Sequence, residues 1–455
     1  MKSDKKNIIY IHTHDSGRIL SPYGYDTPTP HLQAFAEDAL LFRQMYCAGP
    51  TCSPSRAALL TGTYPHRNGM LGLSQRGFAL DDYERHLVRF LNAQGYETVL
   101  CGIQHEAGSY LDHANGAKVI GYSKDITCSN EGYRQEDLVH WDCKNAEAAE
   151  AWLESYDGSA PFFLSFGFYA THRRYPDTLA EGVKPGYVMP PHPVFDNGTS
   201  REDYAAYLTS AAWFDKGLGI VLDALKKTGH YENSVIVFTT DHGIAMPFCK
   251  CNLFDSGIGV SFIMRVPESS SNGKVTDALA SHVDVFPTLC DLLALSKPEH
   301  LQGASFADIF ENEYFRPREE VFSEINFHTS YEPCRSVRTE RYKYIRYYDD
   351  YLGINCSNID NSTVKNFYAE NGLKEQKKNA EALYDLLYDP GERHNLIDDA
   401  SLRDTVQDLR QRLDLFQRKT EDPLLKGPIA TKPSWKVNRR ECFDPSSKKP
   451  EDYVS

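Results

Sequence analysis

Cys52 stands in the turn Gly49-Pro-Thr-Cys52-Ser53-Pro54-Ser55-Arg56, which runs into the apolar stretch Ala57-Ala-Leu-Leu-Thr61 and stops at Gly62. Pro54 fixes a φ suited to entering a helix, Ser55 is of a capping type and Gly62 suits a helix end, so Cys52 is expected just ahead of a helix N-terminus. Such a place favours negative charge, and Arg56 adds a cation that stays protonated and forks onto oxyanions. These properties suit a reactive group that handles an anion; the alternative is a small buried hydrophobe, the commonest fate of a lone cysteine.

His14-Asp15, Gln104-His105 and Asp241-His242 fall, like Cys52, at expected strand ends. In an α/β sheet such ends converge on one site. His12 lies one step earlier on its strand and is left outside the site. Cys249-Lys-Cys251 is spaced by one residue rather than the two usual for zinc, so these cysteines are read as structural neighbours.

The elements that must position these residues alternate. Asn7 to Ile11 is a continuously apolar, β-branched run that reads as a strand buried on both faces. His31 to Phe42 has helical spacing; Leu87 to Gly95 reads as a helix stopped by glycine, with Thr98 to Cys101 as the next strand. A helix from Ala146 to Leu153 precedes a strand from Phe162 to Phe168, and a helix from Tyr204 to Lys227 precedes a strand from Ser234 to Thr240. The fold class is therefore α/β, a mainly parallel central sheet flanked by helices on both faces. Ser109 to Glu136 and Arg174 to Thr199, rich in Gly, Pro, Asn and Asp, are assigned to loops rimming the site.

Beyond residue 325 the texture changes. Ser336 to Tyr347 alternates with period two and reads as an antiparallel strand, Leu383-Tyr-Asp-Leu as another, and Leu402 to Phe416 as a closing amphipathic helix. Residues 1–325 are expected to form the catalytic α/β domain and 326–455 a smaller antiparallel α+β domain. The length of 455 residues suits this division. A net charge of -14 argues against nucleic acid or an anionic membrane as partner, so an anionic substrate needs a local basic site. The opening, Met1 to Lys6 followed by a short apolar run, lacks a signal-peptide pattern, and eleven scattered cysteines suit a reducing compartment; a cytoplasmic location is expected. Oligomeric state is left open.

Cys-x-Pro-x-Arg followed by Leu-Thr-Gly resembles the sulfatase signature, in which the cysteine is converted to formylglycine by a maturation enzyme. The resemblance implies an alkaline phosphatase-like fold and a hydrated aldehyde nucleophile, one hydroxyl attacking sulfur and the other expelling sulfate. It extends to the C-terminal Arg-Tyr-Lys-Tyr strand and to Leu-Tyr-Asp-Leu…Asp-Pro-Gly-Glu, and thus over nearly the whole chain. Local similarity is greatest to the sulfamidase branch, through Asn68-Gly-Met-Leu-Gly-Leu73 and the run after Asp241. What it implies is removal of sulfate, as ester or sulfamate, from a small and carbohydrate-like compound.

By the same resemblance one divalent metal is held by His14, Asp15, the group at Cys52, Asp241 and His242. His14 replaces the family's first aspartate, and the alternative for it is a histidine that touches no metal. The family metal is calcium, which prefers oxygen donors; the imidazoles here suit manganese, iron or zinc better. His105 matches the histidine that helps the geminal diol collapse, His172 the one beside the leaving group and Lys250 a sulfate-contacting cation, with Arg173 and Arg174 as neighbours. The family's sulfate-binding lysine is Ile103 here. Two alternatives keep the fold: a phosphonate monoester or phosphodiester hydrolase, and a non-catalytic binding protein.

Overall fold

The strand Asn7–Thr13 is buried along its whole length, its apolar run Ile8 to Ile11 feeding cores on both faces. Ile9 and Ile11 pack with Leu164, Phe166, Ile236 and Phe238 beneath Val139, Ala146, Phe214, Leu218 and Val221, which come from helices Leu138–Ser155 and Gly198–Lys227. On the other face Ile8 and Tyr10 pack with Phe163, Val235 and Val237 against Leu59, Leu60, Leu87, Val88 and Leu91. Alternate side chains thus feed two separate cores, as a strand covered on both sides must. The computed structural model describes residues 5–454; the charged opening Met1–Asp4 lies outside them.

The central sheet has eight strands in the order Lys124–Asp125, Glu97–Gly102, Phe162–Gly167, Asn7–Thr13, Ser234–Thr240, Phe262–Arg265, Leu40–Phe42 and Val275–Thr276. The first five run parallel, and Phe262–Arg265 is antiparallel to both its neighbours. Thr13 is in register with Thr240, His12 with Gly167, and Gly167 with Gly102, so four adjacent strands end at one level. At that edge Gly102 has φ +85°, and an added Cβ would lie 2.1 Å from the carbonyl oxygen of Gly167; no side chain fits.

A second sheet of four antiparallel strands runs Glu320–Phe327, Tyr331–Thr339, Tyr342–Tyr347 and Glu381–Asp385. Helix Arg403–Lys419 covers it through Val406, Leu409, Leu413 and Phe416, which pack on Phe322, Val337, Tyr344 and Leu383. Ala58 and Tyr64 join the same cluster, so the small sheet leans directly on the helix that carries Cys52. The α/β class and the separate antiparallel sheet are those expected from the sequence.

Local expectations are corrected at four places. His31 to Phe42 is not one helix: the helix Pro30–Ala36 stops, and Leu40–Phe42 pairs with Phe262–Arg265, a pairing that outweighs helical spacing. Ser336 to Tyr347 is a hairpin of two strands turning at Glu340 and Arg341, where Thr339 Oγ1 bonds the backbone of Tyr342. The Ser109–Glu136 stretch contains the helix His113–Ile120. Cys52 is the first residue of its helix, Cys52–Thr61, rather than ahead of it, and Ser55 does not cap it; Gly62 ends it at φ +63°. All eleven cysteines are free, and among the described residues no helix is long and apolar enough to cross a membrane.

Candidate active site

The four level strands each release their chain into one pocket. Thr13 is followed by His14 and Asp15, Gly102 by His105, Gly167 by His172, and Thr240 by Asp241 and His242. The helix Cys52–Thr61 enters the same place with its first turn. Single ligand atoms of His14, Asp15, Cys52 and Asp241 all lie within 4.8 Å of one another, and those of His14, Cys52 and His105 do likewise.

Asp241 is the hub. Its Oδ1 accepts the N–H of Asp15 at 2.8 Å and of His242 at 3.0 Å, and its Oδ2 meets Arg56 Nη2 at 3.0 Å and His14 Nδ1 at 3.1 Å. Burial alone would raise its carboxyl, but His242, Arg56 and His14 hold it well below the usual carboxylate range. Asp15 takes φ +48°, a region aspartate tolerates, and turns its carboxylate inward: Oδ2 accepts from Lys250 Nζ at 3.1 Å while Oδ1 has no hydrogen-bond partner. His242 Nδ1 faces the carbonyl of Gly243 at 3.0 Å, which leaves Nε2 3.4 Å from Cys52 Sγ, 3.4 Å from Asp15 Oδ1 and 3.6 Å from Asp241 Oδ2.

His14 is fully buried with Nε2 unpartnered, and burial, helped by Arg56, keeps its pKa well below the ordinary imidazole range against the pull of Asp241. A neutral imidazole with a free lone pair is a metal ligand in waiting. Cys52 is 2% exposed, and burial pushes its thiol well up even though Lys250 and Arg56 oppose this. Burial thus disfavours the thiolate, and the helix terminus does not by itself activate the sulfur. His105 hydrogen-bonds Gln75 Oε1 through Nε2 at 2.7 Å, leaving Nδ1 unpartnered. Arg56 is spent on Asp241, on the carbonyl of Thr13 at 2.9 Å and on His12 Nδ1 at 2.5 Å. It stiffens the pocket instead of pointing a free fork at an anion.

His172 joins the group by ring contacts to His14 and Tyr110, with centroids 5.1 and 5.3 Å apart. Its Nδ1 meets the carbonyl of Arg173, so Nε2 is the nitrogen left for proton transfer. Burial lowers its pKa, with Asp15 and Asp360 opposing. Arg173, in contrast, turns away onto Asp203, Nη1 to Oδ1 at 2.7 Å, and Arg174 is exposed. Ile103 packs with Leu138, Trp141 and Tyr169, in an apolar wall where no cation is supplied.

The sulfatase family model matches residues 6–295, and the model described as N-sulphoglucosamine sulphohydrolase, C-terminal, matches residues 242–382. The chain belongs to the sulfatase family. Sulfatases are sulfuric ester hydrolases, and this chain is an enzyme of that class. The chain is 29% identical over 459 residues to N-sulphoglucosamine sulphohydrolase of Homo sapiens, covering 88% of this sulfatase and 87% of the relative. The structure of a 2-O GAG sulfatase superposes with a TM-score of 0.72 at 22% identity, covering 98% of this chain and 99% of that one. Phosphonate monoester hydrolase of Agrobacterium radiobacter shares the fold, with a TM-score of 0.69 at 20% identity and coverage of 94% and 100%.

Several residues around the sulfatase site escaped the sequence reading. His12, set aside on strand position, is buried against Arg56; its spacing of two from His14 was the available signal. Asp142, in the second turn of helix Leu138–Ser155, accepts the N–H of Tyr169 at 2.8 Å and of Ala170 at 2.9 Å, just before His172. Asp360 and His328, from the C-terminal part, reach Lys250 and its surroundings. No local pattern marks either of them, because only the tertiary fold brings those segments over the parallel sheet.

Proposed function

We propose that this sulfatase removes sulfate, as ester or sulfamate, from a small carbohydrate, using formylglycine made from Cys52 by a maturation enzyme and one bound divalent metal. The observation that carries the reading is the convergence of His14, Asp15, Cys52 and Asp241 donors within 4.8 Å. Unpartnered His14 Nε2 and Asp15 Oδ1 are buried atoms that a cation would satisfy. His14, Asp15, position 52 and Asp241 would hold the ion with His242 beside them, and the imidazole favours manganese, iron or zinc over the family's calcium. When bound, the metal supplies positive charge and Lewis acidity, and the aldehyde hydrate at position 52 supplies the attacking oxygen.

The chain's own residues do the rest. Arg56 and Lys250 face the three carboxylates of Asp15, Asp241 and Asp360, so the pocket without a dication carries no surplus of positive charge for an anion. That balance is the physical reason for assigning a metal here, with Ile103 in place of a lysine. His105, its Nε2 tied to Gln75, offers Nδ1 as a base close to position 52. His172 gives the proton from Nε2 to the leaving oxygen or nitrogen; the arrival of an anion beside it raises its affinity for that proton. Lys250 and Arg56 hold Asp15 and Asp241 in place. A catalytic and a C-terminal domain are part of this reading, with the boundary moved from residue 325 to just ahead of Glu320–Phe327, a strand of the second sheet; so is a reducing, cytoplasmic setting, which eleven unpaired cysteines support.

Mass spectrometry of the Cys52 peptide after co-expression with a maturation enzyme, with metal analysis of the same protein, is the primary test. An aldehyde at position 52 and about one equivalent of metal are expected; an unmodified thiol in an inactive protein would overturn the reading. The second reading, a phosphonate monoester or phosphodiester hydrolase, is favoured by His14 and Ile103 standing where the sulfate shell has Asp and Lys. Matched aryl sulfates and aryl phosphodiesters separate the two, preference for the diester deciding for the second.

A further inference from the structure

Asp360 follows the short turn Cys356–Asn358 in the C-terminal part of the chain, and its Oδ2 lies 3.1 Å from Lys250 Nζ. The same Nζ donates to Asp15 Oδ2 at 3.1 Å. The two carboxylates differ in access: the Asp15 side chain is 0% exposed, whereas that of Asp360 keeps 21%. The charge of Asp360 acts on His172 and on His328, whose buried Nδ1 has no hydrogen-bond partner. Asp360 therefore reaches the pocket through Lys250, its Oδ2 covered and the rest of its side chain partly open, and its charge is felt at His172, near which the departing group must lie if that residue acts as described above.

From this placement we propose that Asp360 determines specificity. It accepts a hydrogen bond from a hydroxyl or ammonium group neighbouring the scissile bond, and it rejects leaving groups that carry a carboxylate or a second sulfate there. Lys250 does not cancel this, because it shares its charge with Asp15. The substrate class is thus a hydroxyl-rich or amino-bearing sugar and not a uronate. The inference rests on the proposed role of His172, but it is read out without turnover.

Calorimetric titration of the matured, metal-loaded full-length protein with glucosamine and with glucuronic acid is the test. The native chain is expected to bind glucosamine at least about tenfold more tightly, Asp360→Glu to keep that preference, and Asp360→Asn to bring the ratio within about threefold. Equal affinities in the native chain, no binding of either sugar, or an unchanged ratio in Asp360→Asn would each overturn it. Hydrolysis of 4-nitrophenyl sulfate by the same preparations reports separately on the sulfate reading. Preference without hydrolysis sinks that reading and retains this one, and hydrolysis without preference does the reverse.

Discussion

The hydroxyl of Thr171 donates to the carbonyl of His14 at 2.7 Å, and the Thr171 N–H reaches the same oxygen at 3.1 Å. The residue before the candidate proton donor is thereby sewn to a candidate metal ligand. Two strand ends that neighbour each other in the sheet become one rigid wall, and disturbance on either side is expected to reach the other.

Asp142 tests that rigidity from behind. Replacement by Ala leaves the buried N–H groups of Tyr169 and Ala170 unpaired, at about 1–3 kcal/mol each, and should slow poor leaving groups more than good ones because His172 loses its position. Burial raises the Asp142 carboxyl to about 8, against the two N–H groups that lower it. A folded pKa above the unfolded value of about 3.9 means that its contribution to stability is complete below that pH and is lost as pH rises through about 8. Urea unfolding at pH 5 and pH 9 should show a smaller difference in Asp142→Asn than in the native chain.

Cys52→Ala should abolish turnover, by more than about a thousandfold, while in the presence of chelator it melts close to the native chain, since a single side-chain atom is removed. Activity on an aryl sulfate beside a calorimetric melt distinguishes this from misfolding. Residual activity within tenfold of the native chain would remove position 52 from the nucleophile role.

His172→Ala is expected to cost about 10²–10⁴-fold on substrates with poor leaving groups and far less on nitrophenyl esters, because only the former need the proton. A series of aryl sulfates of graded leaving-group pKa measures this directly. Uniform loss along the series would take His172 out of the acid role.

Chelation should lower both activity and melting temperature. An ion present at about 100 times its dissociation constant stabilises the fold by about 2.7 kcal/mol. Asp241→Asn should forfeit most of the bound metal and much of that gain, since Asp241 holds His14, Arg56 and Asp15 together. An unchanged metal content in this variant, read by elemental analysis, would contradict the assignment.

Asp422 and Arg335 contribute a separate share of acid stability. Burial would raise the Asp422 carboxyl, but Arg335, bonded to both oxygens at 2.7 and 2.9 Å, holds it at about 2. A depressed folded pKa gives stability that is present above about pH 4 and lost as pH falls through about 2. Asp422→Ala should therefore cost about 3–5 kcal/mol at neutral pH and progressively less on acidification, seen as converging denaturant midpoints.

The candidate site residues that the fold brings together were largely legible in the chain itself, because strand, turn and ligand type are local properties. A run such as Asn7 to Ile11 announces a doubly covered strand, and a polar group at its end announces a site. The helix stop at Gly62 and the strand Ser234–Thr240 are local in the same sense, needing only glycine's freedom and β-branched periodicity. The fold decided what no window of sequence contains. It made Leu40–Phe42 a strand by giving it partners, spent Arg56 on Asp241, buried His12 behind it, tied Asp142 to the backbone just before His172 and brought Asp360 to Lys250. Pairing and charge compensation act between groups hundreds of residues apart, so they exist only once the chain has closed on itself.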